Sequence, residues 1–309
     1  MSSLLERELI VVTGKGGVGR STVAAALGLA SARSGHEAII CESYGQSAVP
    51  EMLGHLPPPA GTPLGLADGL SAMSIDPDVV IGEWIGSQVG GTLSRLLGTS
   101  KSFGQFTSVV PGLRELLTMT KAWSLGHGRG MKRNDPSYAT VVLDAPATGH
   151  GVAMLRSPRT FADLATAGPI HGDSMKIWEL LRDPNRSAIV AVTLPAELPV
   201  AETLDLDRWL VDMLGRPLDA IVVNRCQQDA FSPKDLSLIA RTVRKGSIPL
   251  EASVVASAAS ATHSMQEPLI DDLDEGTSAE TVVVPEFPAD MAVGSVIGEI
   301  ADLLRLNLG

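Results

Sequence analysis

Cysteine is nearly missing: Cys41 and Cys226 are the two in 309 residues, far apart and each inside or beside a strand-like run. No C-x-x-C metal pair and no disulfide framework can be built from them, and a reducing cytosol fits such usage. Aromatic residues make up 4% of the chain, too few to advertise a recognition surface. Basic residues are in deficit, 24 Lys+Arg against 35 Asp+Glu for a net charge of −11. Nonspecific binding to DNA or anionic lipid needs clustered bases that release counterions, so no nucleic-acid partner is expected. No run reaches the roughly 18 apolar residues of a membrane span. The stretch Met1–Glu8 lacks a basic region followed by a long apolar core. The expectation is a cytoplasmic protein with no integral membrane segment. Glycine (31) and proline (20) are frequent but without a regular period, which excludes collagen-like and solenoid architectures.

What is present is a core-sized supply of apolar residues, 44% of the chain, enough for one large domain over residues 1–309. Short β-branched runs recur at Leu9–Val12, Ala38–Cys41, Val141–Leu143, Ala188–Leu194, Ala220–Val223 and Thr281–Val284, with helical patterns between them. Continuously apolar strands alternating with helices predict an α/β fold, a mostly parallel sheet covered by helices on both faces. Functional loops then gather at the strand C-terminal ends. Residues 77–135 break the rhythm: Ile81, Ile85, Val89 and Leu93 step by four, and Leu113, Leu116 and Leu117 suggest a second helix. Phe103 and Phe106 lie between them. The segment reads as a helical insertion, and Gly82, Gly86 and Gly90 along it suggest a pliable element. It is either a protein-client or partner surface or an ordinary helical layer on the sheet. At the C-terminus Ile297, Ile300, Leu303 and Leu304 have the spacing of a core helix, with Glu299 and Asp302 against Arg305, unlike a basic membrane-targeting helix.

The most informative stretch is Gly14-Lys15-Gly16-Gly17-Val18-Gly19-Arg20-Ser21-Thr22, placed between the first strand and a helical run. This is the pattern of a phosphate-binding loop: glycines let backbone N–H groups close around phosphates, the helix N-terminus adds its positive end, and a hydroxyl at Ser21 can reach a magnesium ion. One position departs from it, because Arg20 stands where the loop lysine is usual. A guanidinium binds phosphate bidentately, but its size and planarity differ from those of a compact ammonium. Val141-Val142-Leu143-Asp144 ends a second apolar strand in a carboxylate, where Asp144 can hold magnesium through water. Gly149 beyond it can swing to sense a terminal phosphate. Asn224, at the end of another strand, offers a donor and an acceptor suited to the edge of adenine, or is simply a turn asparagine.

These motifs resemble one family. The loop with its early lysine is similar to the deviant Walker A loop of dimeric ATPases that include arsenite pumps, tail-anchored-protein targeting factors, Min and Par proteins and nitrogenase iron protein. Asp144-Ala145-Pro146-Ala147-Thr148-Gly149-His150 resembles the switch segment of the arsenite-pump and tail-anchored-protein targeting branch. Further segments in matching order are Leu70–Pro77, Pro111-Gly112-Leu113, Pro195–Thr203, Val222–Arg225 and Val283-Val284-Pro285. The resemblance implies the nitrogenase-iron-protein-like P-loop fold, binding of ATP or ADP with Mg2+, and assembly as a homodimer or as a heterodimer with a paralogue. It also implies Lys15 reaching across that dimer to the partner's nucleotide, Asn224 as adenine reader, and the loop at Pro285 beside the base. The alternative for Lys15 is a solvated loop lysine.

Two departures bear on turnover. Family members that hydrolyse ATP carry an aspartate after the second strand to orient water, and Ser43 occupies that place; Glu42, one residue earlier, is a candidate substitute that should point to the other side of the strand. Together with Arg20 this favours nucleotide binding over hydrolysis. The cysteine count excludes a zinc-clasped dimer, a thiolate arsenite site and an iron-sulfur dimer. Three functions are consistent with the chain: an ATP-dependent dimeric switch with weak hydrolysis, a noncatalytic nucleotide-binding subunit beside an active paralogue, and, less in keeping with a switch segment, a P-loop kinase or ligase for a small molecule.

Overall fold

The computed structural model describes residues 3–43, 47–89, 110–126, 137–246 and 249–309. The first strand, β1 (Leu9–Gly14), is buried along its whole length, and its alternation divides the interior in two. Leu9 and Val11 point into one core and Ile10 and Val12 into the other, as period-2 side chains must when both sheet faces are covered. The neighbours repeat the pattern: β2 (Ala38–Ser43), β5 (Thr140–Asp144), β6 (Ser187–Thr193) and β7 (Ala220–Cys226). With β3 (Leu64–Ala67), β4 (Leu70–Ile75) and β8 (Glu280–Pro285) they make an eight-stranded sheet in the order β3-β4-β2-β5-β1-β6-β7-β8. Only β3 runs antiparallel, at one edge. This is the α/β architecture of a P-loop nucleotide-binding fold, as the apolar runs predicted.

On one face α1 (Arg20–Arg33) packs through Val23, Ala24 and Leu27. Beside it lies the C-terminal α10 (Val293–Leu308), which buries Ile297, Ile300 and Leu304. The C-terminal segment is therefore a core helix, as its spacing indicates. The short α2 (Ala48–Met52) closes the same side. The other face carries α4 (Leu113–Leu125), α5 (Thr148–Leu164), α6 (Pro169–Arg182) and α7 (Glu197–Leu214), anchored by Leu117, Leu155, Trp178 and Leu210. Of the stretch read as an insertion, α3 (Pro77–Val89) and α4 are described, joined by a buried ion pair of 2.8 Å between Lys121 and Glu83. Gly90, Leu93, Phe103 and Phe106 lie outside the described residues.

Two features carry no clear period in the sequence. β4 interrupts its apolar residues with Ser71 and Ser74, and β3 is a half-exposed edge. Between β7 and β8 the chain forms α8 (Pro233–Arg244) and the long α9 (Leu250–Gly276). No residue of α8 is buried. No described helix is long and apolar enough to cross a membrane.

Candidate functional site

The loop between β1 and α1 lies at the C-terminal edge of the sheet, where it meets Val192 of β6 and Asn224 of β7. Two of its glycines are required by shape. At Gly14 (φ 147°) an added Cβ would overlap the Val192 carbonyl oxygen, and at Gly19 (φ 95°) it would overlap the Asn224 amide. Neither backbone conformation is open to residues with a side chain without strain. Gly19 is also the residue from which α1 starts, leaving the first-turn N–H groups of the helix facing outward. Gly16 and Gly17 have nothing within 4 Å of where a Cβ would stand, so the outer wall of the loop is open.

Asn224 is brought to the loop. Its Nδ2 donates to the Val18 carbonyl at 2.8 Å and its Oδ1 accepts the Arg225 N–H at 3.0 Å. That uses one N–H and one lone pair and leaves one of each. Arg225 holds the turn in a left-handed conformation (φ 58°) at a break in β7–β8 pairing, where Cys226 pairs with Pro285. The consequence is a cleft of about 220 Å³ bounded by Thr22, Asn224, Arg225, Pro285, Phe287 and Val296. Asn224 and Pro285 thus share one hollow beside the glycine loop.

On the other side of α1, β2 and β5 end in register, with Glu42 opposite Asp144. Both carboxyls are fully buried. Ser21 Oγ donates to Asp144 Oδ2 at 2.6 Å, while Asp144 Oδ1 is buried with no hydrogen-bond partner among the described residues. Burial raises the Asp144 pKa above the ordinary aspartate value, opposed by the Ser21 bond and by Arg20. Glu42 Oε1 accepts the N–H groups of Ala48 (2.7 Å) and Val49 (3.1 Å), capping α2. Its Oε2 is again buried without a described partner. Burial lifts its pKa too, against the Val49 and Ala48 bonds, with Asp144 and Glu51 adding repulsion. Thr13 Oγ1 is a third such oxygen at the end of β1. Ser43 turns the other way, its Oγ donating to the Asp144 carbonyl at 3.1 Å. It ties two strands together and is no base.

The remaining predicted residues sort by their partners. The Arg20 guanidinium donates to the carbonyl of Ala145, the residue following Asp144, which links the loop to the segment that follows β5. Lys15 pairs with Glu202 on α7, both part-exposed, so within one chain it is not merely solvated. Gly149 lies in the first turn of α5 with open space around it. Sequence reasoning gave no role to Glu202, Thr13, Phe287 or the Ala145 carbonyl. Glu202 falls in one of the family-like segments, which was the available signal for it. Both thiols are buried and unpaired. Burial is the main cause that pushes Cys41 up to about 12 and Cys226 up to about 11, so neither supplies a thiolate at neutral pH.

The donor set fits a magnesium nucleotide. A hydroxyl at Ser21 and a buried carboxylate with an orphaned oxygen are hard ligands of the kind magnesium takes directly or through water, and the open glycine wall leaves room for phosphate. Among the described residues no group of three or more His, Cys, Asp or Glu could hold a metal by itself. A cation here would accordingly come with a phosphate that completes its shell.

Comparison with known proteins agrees. Residues 7–167 match the model of the anion-transporting ATPase family. ATPase BagA of Mycobacterium tuberculosis is 33% identical over 238 residues, covering 74% of this chain and 68% of its own length. An ATPase of Mycobacterium bovis matches to the same extent. A Halobacterium salinarum protein named as an arsenical pump-driving ATPase is 25% identical over 233 residues, 71% of this chain but 35% of its own length. With more than half of the chain matched, and its loop, strand-end carboxylate and sheet order arranged as described, the protein belongs to the anion-transporting ATPase family.

Proposed function

We propose that the chain is a nucleotide-operated switch that binds Mg-ATP or Mg-ADP, closes on a second subunit, and turns ATP over slowly or not at all when alone. The observation that carries the binding half is the pairing of an open glycine loop with the Ser21–Asp144 contact and the orphaned Asp144 oxygen. The loop N–H groups from Gly14 to Thr22 would take the phosphates, Ser21 and Asp144 would hold the cation, and the cleft at Asn224 and Pro285 would take the base. Magnesium bound there supplies positive charge against the phosphate oxygens. Asn224 keeps one N–H and one lone pair for the adenine edge, while its other contacts hold the loop in shape.

The weak-turnover half rests on what surrounds the phosphate position. Ser43 gives its hydroxyl to a backbone carbonyl, Glu42 spends one oxygen capping α2, and Arg20 reaches the Ala145 carbonyl. Ser43 and Arg20 offer no base for water, and Glu42 keeps only its buried Oε2. These contacts equally favour a second reading, a noncatalytic subunit that lends Lys15 to an active paralogue. On either reading Lys15 leaves Glu202 when two subunits close, and that exchange couples α7 to the nucleotide.

Calorimetric titration of the purified chain with Mg-ADP should give saturable heat and a raised melting temperature, both lost in Asp144→Ala. No heat and no stabilisation at millimolar nucleotide would refute binding. Robust ATP turnover by the unmodified chain, abolished in Asp144→Ala, would refute the weak-turnover half alone.

A further inference from the structure

Glu42 and Asp144 stand opposite one another on neighbouring strands, and adjacent strands run about 4.8 Å apart. Ile40 and Val142, two residues earlier on each strand, both enter the core under α1, so with a period of two the carboxyls leave the same face of the sheet. The bond from Ser21, in the first turn of α1, to Asp144 fixes which face that is. Ser43 leaves β2 on the opposite face. The alternation that disqualifies Glu42 as a replacement for the water-orienting residue therefore sets it beside Ser21 and Asp144, the pair proposed to hold the cation.

The cap on α2 does not explain a carboxylate at this position. Ser47, at the N-cap, makes no side-chain bond, and Glu42 Oε1 takes that part by accepting from Ala48 and Val49. A glutamine of the same length would serve the cap without a buried charge. Oε2 remains, buried and without a hydrogen-bond partner among the described residues, as does Asp144 Oδ1. Two carboxylate oxygens side by side in a dry place need donors or positive charge. The cations of the loop are engaged elsewhere, Arg20 at the Ala145 carbonyl and Lys15 at Glu202. Ser21 gives its proton to the other oxygen of Asp144. Both orphaned oxygens would be satisfied by a ligand that brings several donors at once, and a magnesium ion does so because it keeps several of its waters when phosphate binds it.

We infer that Glu42 is a positioning residue for the magnesium of the nucleotide: its Oε2 accepts from the water shell of the cation beside Asp144, while its Oε1 keeps hold of α2. The inference rests on the Mg-nucleotide reading above and adds to it a second carboxylate, which neither the glycine loop nor the strand-end aspartate supplies. One side chain then faces the cation with one oxygen and the first turn of α2 with the other. With Oε2 engaged, the carboxyl is pinned in one orientation and the turn is ordered with it; otherwise the two amides alone hold it. Val49 and Pro50 are already buried, so the effect is a tightening of that turn rather than a displacement of α2.

The test is a magnesium titration of the full chain at saturating ADP, followed by calorimetry, on the unmodified chain and on Glu42→Gln. Glutamine keeps an oxygen for Ala48 and Val49 and places an amide where Oε2 stood, so the melting temperature of the apo chain should not fall. The magnesium concentration at half-saturation should rise roughly tenfold or more, as when an outer-shell partner of a metal is changed, while affinity for ADP without magnesium should stay within about twofold. A second readout is made on the unmodified chain: hydrogen exchange at the Ala48 and Val49 amides, followed by NMR, should slow when magnesium is added to the ADP-bound form. Half-saturation unchanged in Glu42→Gln, an equal loss of ADP affinity with and without magnesium, or amides indifferent to magnesium would each overturn the inference and leave nucleotide binding standing. Failure of the unmodified chain to bind Mg-ADP at all would refute the proposed function, and this inference with it.

Discussion

Replacing each glycine of the loop by alanine, one at a time and without ligand, separates three contributions that the geometry keeps apart. Gly16 has ordinary backbone and open surroundings, so Gly16→Ala should leave stability within about 0.5 kcal/mol. Gly17 sits at φ 85° with nothing within 4 Å, so Gly17→Ala should cost only the left-handed strain, about 1–2 kcal/mol. Gly19 sits at φ 95° and its new methyl would overlap the Asn224 amide. That side chain must then leave the Val18 carbonyl, to which it is bonded at 2.8 Å inside the protein. Losing that bond adds about 1 kcal/mol and the displacement of a packed group somewhat more, for a total of about 2–4 kcal/mol. Urea denaturation of the apo chain reads this directly as a shift of midpoint at constant slope. The order Gly16 < Gly17 < Gly19 is the prediction. Equal losses for Gly17→Ala and Gly19→Ala would mean that Asn224 does not brace the loop, and its place in the site would have to be rethought.

The two buried carboxylates make a pH prediction whose sign is fixed by the direction of their shifts. Both are raised by burial, so the folded chain holds these protons more tightly than the unfolded one. Their contribution is complete below the ordinary carboxylate value and falls away as pH rises through the raised one. Asp144→Asn keeps an acceptor for Ser21 and removes one titration, so the difference in apo stability between variant and parent should grow in the variant's favour from pH 4 to pH 8; parallel curves would refute the assignment. Lys15→Ala should change the melting temperature of the apo chain little, because a part-exposed ion pair is worth about 0–1 kcal/mol. Under the proposed function it should weaken ATP-dependent association of subunits, measured by light scattering with and without nucleotide, and Glu202→Ala should strengthen it by freeing the lysine. Association unaffected by Lys15→Ala would remove the trans role.

The legible part of the fold was the part in which both faces of a strand are dry. β1, β2, β5, β6 and β7 announce themselves as apolar runs because alternate residues enter different cores, whereas β8, half-exposed at the other edge, shows through its unbroken Val282-Val283-Val284. β3 and β4 did not, since one is an edge and the other pairs with it, and their exposed and serine positions resemble a loop. α8 and α9 were illegible for a related reason. A helix whose apolar residues are satisfied by one neighbouring helix, or left facing outward, does not need a stripe wide enough to show above the background of alanine and serine.

The site divides along a different line. Gly14 and Gly19, which act through backbone shape, and Ser21 and Asp144, which under the proposed function would be hard ligands, could be named from spacing because the chemistry dictates their types. Lys15, Arg20, Ser43 and Glu42 could be located but not assigned, because what each does depends on a partner remote in sequence: Glu202, the Ala145 carbonyl, the Asp144 carbonyl and the first turn of α2. All four of those partners lie within the chain itself. Arg20 is bonded to the carbonyl of the residue after Asp144, so under the proposed function the loop and the segment after β5 would move together. In this chain the substitution at Arg20 therefore joins two parts that the usual loop keeps separate, and nucleotide occupancy would reach α5 through Arg20 without any bond being broken in ATP.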